Sequence, residues 1–194
     1  RTVSFYMLVL AFGMFGLTIG VMLLHTIPFM TDAGYSRSTA AFMVTLASIP
    51  ALLSKPFWGL LMDKTDPKRL ASISAMTTGI SLIVITTAVR AENHPAIYGG
   101  FLLLGFGWGG MIPLQELIWA TFFGRRYLGS VRSAGLPFSL FLGAGAPLLV
   151  SEYVDRAGDY DGAFLTIAAL NLTAAVLLLF IRKPQRKGGA APAG

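Results

Sequence analysis

Long apolar runs and short polar breaks alternate along the chain. Six runs reach the length of about 20 residues that an α-helix needs to cross a bilayer. They are Phe5–Met30, Thr39–Met62, Leu70–Val89, Ala96–Phe123, Ser133–Val154 and Gly162–Ile181. The breaks read TDAGYSRS, DKTDPKR, RAENHP, GRRYLGSVR and DRAGDYDG, each carrying turn and charge signals. The pattern predicts an all-α membrane protein, with six transmembrane helices bundled over residues 1–181. The remaining RKPQRKGGAAPAG, residues 182–194, reads as a polar, disordered cytoplasmic tail.

Composition sharpens this picture. Of 194 residues 55% are hydrophobic and only 12% charged, where a soluble domain carries about 25% charged. Cysteine is absent, which excludes a disulfide framework and a thiolate metal site. The net charge of +6 does not indicate nucleic acid, because the basic residues lie in short clusters between apolar runs. Arg1, Lys64, Lys68, Arg69, Arg125, Arg126, Arg132, Arg182, Lys183, Arg186 and Lys187 fall on one side of six alternating spans. Only Arg37, Arg90 and Arg156 fall on the other. By the positive-inside rule both termini are cytoplasmic. The first apolar run is too long for a cleavable signal peptide, and a start at Arg1 is expected of a fragment or a processed product.

Glycines crowd the first, fourth and fifth spans. Gly16 and Gly20 have GxxxG spacing, Gly143 and Gly145 precede Pro147, and the fourth span holds Gly99, Gly100, Gly105, Gly107, Gly109 and Gly110. Either they let helices pack closely in lipid, or they mark a bending or sliding helix. GFGWGG at 105–110 imitates a nucleotide-binding loop, but it lies inside an apolar span with no preceding strand.

Three groups inside the spans carry candidate chemistry. Lys55 lies about 10 Å from the cytoplasmic end of the second span. Helical side chains lean toward the helix N-terminus, which for this span is the outer end. Lys55 therefore leans toward the bilayer centre and away from the nearer headgroups. Placing a lysine there costs about 2.5 kcal/mol or more, so such a group normally faces an aqueous cavity or a partner. Ser48, Ala51, Lys55 and Gly59 form one small, polar face, and Pro56 is expected to bend the helix. Glu116, beside Pro113 and Gln115, is either a proton-carrying or ion-pairing group, with Lys55 as a possible partner, or a structural acid. His25 either titrates in a proton-linked cycle or hydrogen-bonds a neighbouring helix. Trp108 either lines a cavity or packs. No HExxH, no cysteine and no convincing Ser–His–Asp spacing supports an enzyme, and no cofactor or metal is implied.

The break after the second span resembles a known signature. In WGLLMDKTDPKRL, the residues Gly59, Leu61, Asp63, Lys64, Lys68 and Arg69 are similar to the G-x-L-x-D-[RK]-x-G-[RK]-[RK] loop of the major facilitator superfamily, with departures at Met62, Asp66 and Pro67. HTIPFMTDAGYS, ATFFGRRYLGSVRS, GAGAPLL and DRAGDYDGAF resemble the C-terminal half of members related to monocarboxylate transporters and oxalate/formate antiporters. Lys55–Pro56 stands where that branch has Arg–Pro, while Ala51 stands where it has an aspartate. The resemblance implies half of a secondary transporter, a 3+3 inverted repeat that pairs with a missing N-terminal six-helix half. It implies a small organic anion as substrate, bound by Lys55 with Ser48 and His25, and proton coupling or ion pairing at Glu116 and Lys55. Gly59, Asp63, Lys64, Lys68 and Arg69 would form a cytoplasmic gating loop. The alternatives are a drug or sugar-phosphate exporter and a non-transporting membrane scaffold.

Overall fold

The computed structural model describes residues 2–124 and 128–181. They fold into α1 (Thr2–Asp32), α2 (Arg37–Leu53), α3 (Lys55–Met62), α4 (Pro67–Arg90), α5 (His94–Phe123), α6 (Leu128–Ala157) and α7 (Asp161–Phe180). No strand occurs among the described residues. The helices α1, α4, α5 and α7, and α2 with α3 taken together, are long and apolar enough to cross a membrane. The fifth predicted span lies within α6, which has 30 residues. The tail 182–194 and Arg1, Arg125 and Arg126 lie outside the described residues, as does the side chain of Arg132. Much of the charge count behind the predicted orientation therefore falls outside them.

Helices extend past the apolar runs because their caps lie in the polar breaks. Ser36 accepts the Thr39 N–H at 3.1 Å, and Asn93 accepts that of Ala96 at 3.1 Å, which satisfies N-terminal donors that would otherwise be orphaned. Gly34 and Gly158 follow α1 and α6 with φ of 88° and 80°, a conformation that costs glycine little.

The packing is symmetric. α1 packs on α6 as α5 packs on α2, α4 packs on α5 as α7 packs on α1, and α4 packs on α7. Exchanging the first three spans with the last three maps each of these contacts onto another, or onto itself. Spans one and four enter the membrane from opposite ends, so the repeat is inverted.

Glycines set the closest approaches. A Cβ at Gly105 would fall 1.8 Å from the Ala47 carbonyl oxygen on α2, and one at Gly107 would fall 2.4 Å from Thr78 Oγ1 on α4. A Cβ at Gly20 would lie 2.9 Å from the Gly143 carbonyl oxygen on α6. Gly16, the other half of the GxxxG pair, meets nothing within 4 Å, so Gly13 and Gly20, two turns apart, carry the α6 contact instead. Helix α5 runs unbroken through all six of its glycines, and five of them meet neighbouring atoms closely enough that a Cβ would not fit.

Buried hydroxyls and an amide tie the helices where lipid offers no water. Asn171 Nδ2 donates to Thr18 Oγ1 at 2.6 Å, Ser72 Oγ to the Ala175 carbonyl at 2.8 Å, and Ser74 Oγ to the Gly107 carbonyl at 2.6 Å. Burial is uneven. In the most apolar window of α4 61% of residues are buried, against 22% in the α2–α3 span. One broad face of that span is uncovered.

Candidate functional site

The second span is not one smooth helix. Pro50 and Pro56 both lack an N–H, and the normal helical partner of the Leu52 carbonyl would be residue 56. The helix is interrupted at Ser54, whose N–H still reaches the Pro50 carbonyl at 2.9 Å. The Trp58 N–H reaches the Ser54 carbonyl at 3.0 Å, so the ladder resumes at once. The helix breaks at one residue without unfolding, and Lys55 is the first residue beyond the break.

Trp58 and Ser54 fix the rotation of α3. The Trp58 indole N–H donates to the Phe106 carbonyl at 3.0 Å, and Ser54 Oγ donates to the same oxygen at 3.5 Å. Gly109 and Gly110 make room for them, since Cβ atoms there would lie 2.0 Å from Ser54 Oγ and 2.5 Å from the Trp58 ring. With this edge held against α5, Lys55, Ser48 and Gly59 are exposed on one flank. Ala51 does not belong to that face. Its carbonyl lies 2.7 Å from where a Gly109 Cβ would be, so it turns toward α5, and exposed Leu52 takes its place. Leu53, Phe57 and Leu60 are also exposed, which makes the surroundings of Lys55 more apolar than the expected small, polar wall. Lys55 makes no hydrogen bond or ion pair with the described residues. It stands on an open face of this chain rather than inside a cavity of it.

Glu116 is half-buried on α5. The α2–α3 span and α5 run parallel, with Ala47 beside Gly105 and Ser54 beside Gly109. Glu116 therefore lies about 10 Å deeper than Lys55 toward the Asp63 end, and no ion pair joins the two. Ser48 is exposed, with its hydroxyl turned back onto the Val44 carbonyl at 2.9 Å.

His25 does not share this face. It is buried, its Nε2 lies 3.1 Å from the Pro147 carbonyl on α6, and its ring packs on Tyr160. Of its two expected roles, the helix-to-helix hydrogen bond is the one seen. Pro147 has no N–H to bond the Gly143 carbonyl along α6, and the His25 contact ties α1 to α6 at that position. Burial, then the carboxylates of Asp32 and Asp155, push the Tyr160 phenol above its ordinary value of 10.0.

Sequence reasoning left Trp108 undecided. Its indole nitrogen is buried without a partner among the described residues. It borders a small gap of about 10 Å³ with Thr26, Val44 and Ala47, between α1, α2 and α5. The available signal was an indole set among glycines, a donor held where close backbone packing leaves few acceptors.

In the loop after α3, Asp63 and Lys64 are exposed, and Asp63 ends the helix. Gly59 faces open space. Asp66 caps α4, accepting the Lys68 N–H at 3.0 Å, and Pro67 opens the helix. Lys68 Nζ donates to the Ile181 carbonyl at 3.0 Å, at the C-terminal end of α7. Arg69 is exposed.

The profile of the Major Facilitator Superfamily matches residues 5–194. The chain belongs to that superfamily. No curated protein matches it. Its fold is half of the superfamily's helical bundle, and superfamily members are membrane transporters rather than enzymes. The departure from the superfamily loop at Asp66 now has a physical reading. With φ of −56° this position needs no glycine, and a capping aspartate followed by proline starts the next helix instead. One basic position of the signature, Lys68, here closes the end of α7.

Proposed function

We propose that this chain is the C-terminal half of a secondary active transporter of a small organic anion such as a monocarboxylate, working by alternating access, with both termini in the cytoplasm of a bacterial inner membrane. The observation that carries the reading is Lys55: an ammonium well inside the membrane span, just past a proline break, on an uncovered face. A partner N-terminal half laid over that face would turn an open surface into the wall of a central cavity. A carboxylate entering it would offset the lysine's desolvation.

Lysine is a point charge that binds an anion from many angles and can release its proton when dehydrated. That property supports proton coupling at Lys55, with Glu116 deeper on the same side of the bundle as a second proton carrier. Ser48 supplies a hydroxyl on the Lys55 flank. The placement of His25 favours a role in holding α1 to α6 over contact with substrate. Gly59 and Asp63, open and exposed at the Asp63 end, fit a gating contact with the other half. Lys64 and Arg69 are placed to join it, while Lys68 is engaged with α7.

The test is uptake of a panel of carboxylates by the full-length protein in proteoliposomes. Lys55→Ala should abolish anion uptake, and Lys55→Arg should retain part of it. Undiminished uptake in the alanine variant refutes the role of Lys55. Uptake that ignores an imposed pH gradient refutes the coupling.

A further inference from the structure

α6 and α7 barely touch along their length, and a groove of about 190 Å³ opens between them. Leu17 of α1 forms part of its floor, and Ala146, Val150, Ile167 and Leu170 line its walls. Position around α1 shows where the groove points. At 100° per residue, Gly13 and Gly20 meet α6, Thr18 meets α7 through Asn171, and Leu17 lies between them. The exposed Leu23 lies on the far side of the Gly13–Gly20 edge. α6 thus separates the groove from the Lys55 side, and the groove looks outward from the bundle's flank.

Two features single out an occupant. The first is depth. From Ala146 to Arg156 on α6 is about 15 Å, which matches one leaflet of a hydrocarbon core of about 30 Å. The second is the mouth. A second cleft, sharing Leu149 and Tyr153 with the groove, adds Glu152 and Arg156. These two form an exposed ion pair in the last turns of α6, which leaves further guanidinium N–H groups facing outward. Below the mouth the lining is almost wholly apolar; at the mouth stand an amphipathic tyrosine and a cation.

We propose that this groove holds one acyl chain of a glycerophospholipid, with its phosphate at Arg156. The proposal does not depend on what the protein carries. An apolar slot one leaflet deep, ending in a guanidinium, fits a lipid better than a peptide, whose backbone groups would find almost no partners there.

The test is photolabelling of the full-length protein in phosphatidylethanolamine–phosphatidylglycerol vesicles. The probe is a phosphatidylethanolamine bearing a diazirine at mid-chain, and labelled peptides are mapped by mass spectrometry. Labelling of 146–153 and 163–170 should exceed that of the exposed α4 surface at Ile80 and Ile83 by at least five-fold. Thr166→Trp fills the groove from an exposed position and should lower groove labelling to the α4 level. Arg156→Gln should at least halve it. Equal labelling of groove and α4 in the wild type, or undiminished labelling in the tryptophan variant, overturns the site. Wild-type labelling in the glutamine variant overturns the phosphate contact.

Discussion

Gly105→Ala tests the packing on which the site rests. A methyl group there would sit 1.8 Å from the Ala47 carbonyl oxygen and 2.7 Å from Pro50 Cγ, where ordinary contact begins at 3.4 Å. One obstacle is backbone and the other is a proline ring, so neither can rotate aside. α2 and α5 must part by about 1.5 Å, which opens voids along a close-packed interface. Overpacking of this kind costs about 1–3 kcal/mol, and the rigidity of both neighbours places it near the top. The better helix propensity of alanine returns about 1 kcal/mol. The net loss is about 2 kcal/mol, or a fall in Tm on the order of 5 °C. Gly99, on the same helix, meets nothing within 4 Å, so Gly99→Ala keeps only the propensity gain. The assay is thermal unfolding of full-length variants in one detergent, followed by tryptophan fluorescence. If the two variants melt together, α5 does not approach α2 as closely as described, and the register that places Lys55 fails with it.

Other expectations are open to measurement. The Thr18–Asn171 hydrogen bond should give a coupling of about 0.6–1.7 kcal/mol in a double-mutant cycle of Thr18→Val and Asn171→Leu, read by unfolding; a coupling of zero contradicts the bond. Tyr160 has a raised phenol pKa, so its native state keeps the proton longer than the unfolded chain does. Its contribution is complete below pH 10.0 and is lost as pH rises through the native value. Tyr160→Phe should flatten that alkaline fall in stability, and an unchanged pH profile would contradict the assignment. Trp58→Phe removes the donor to the Phe106 carbonyl and should cost about 1 kcal/mol. The same variant should also change anion uptake if the rotation of α3 sets the position of Lys55.

The helical segments were legible because apolar runs broken by charge leave few alternatives in a bilayer, and five of them, among the described residues, are long and apolar enough to cross it. The interruption beside Pro56 was legible from one missing N–H. What the sequence left open was rotation. A helix that is hydrophobic all round carries little amphipathic signal to say which side is buried. Ala51 was therefore assigned to the Lys55 face, and only the glycines at 109 and 110 show that it turns toward α5. His25 was equally ambiguous, because both of its readings place an imidazole near the end of a span. Its burial depends on Pro147 and Tyr160, more than a hundred residues away. Asp66 looked like damage to a glycine signature, because a sequence does not show which φ a loop position adopts.

The inverted repeat gives the glycines a common logic that spacing alone did not. Span four docks span two through Gly105, Gly109 and Gly110, and span one docks span five through Gly13 and Gly20. In each case the helix being held contains prolines, Pro50 and Pro56 in one and Pro137 and Pro147 in the other. A proline-weakened helix gains rigidity from a close neighbour, so the two glycine edges should do the same job with different tightness. Gly20 is the looser, with the nearest backbone oxygen 2.9 Å from an added methyl against 1.8 Å at Gly105, and Gly16 is open. The loss of stability on substitution by alanine should therefore fall in the order Gly105, Gly20, Gly16, with Gly16→Ala neutral or stabilising by up to about 1 kcal/mol. Under a GxxxG reading of the first span, Gly16 and Gly20 would be damaged alike. Equal losses at those two positions would show that α6 docks on the pair four residues apart, and the correspondence between spans one and four would lose its physical basis.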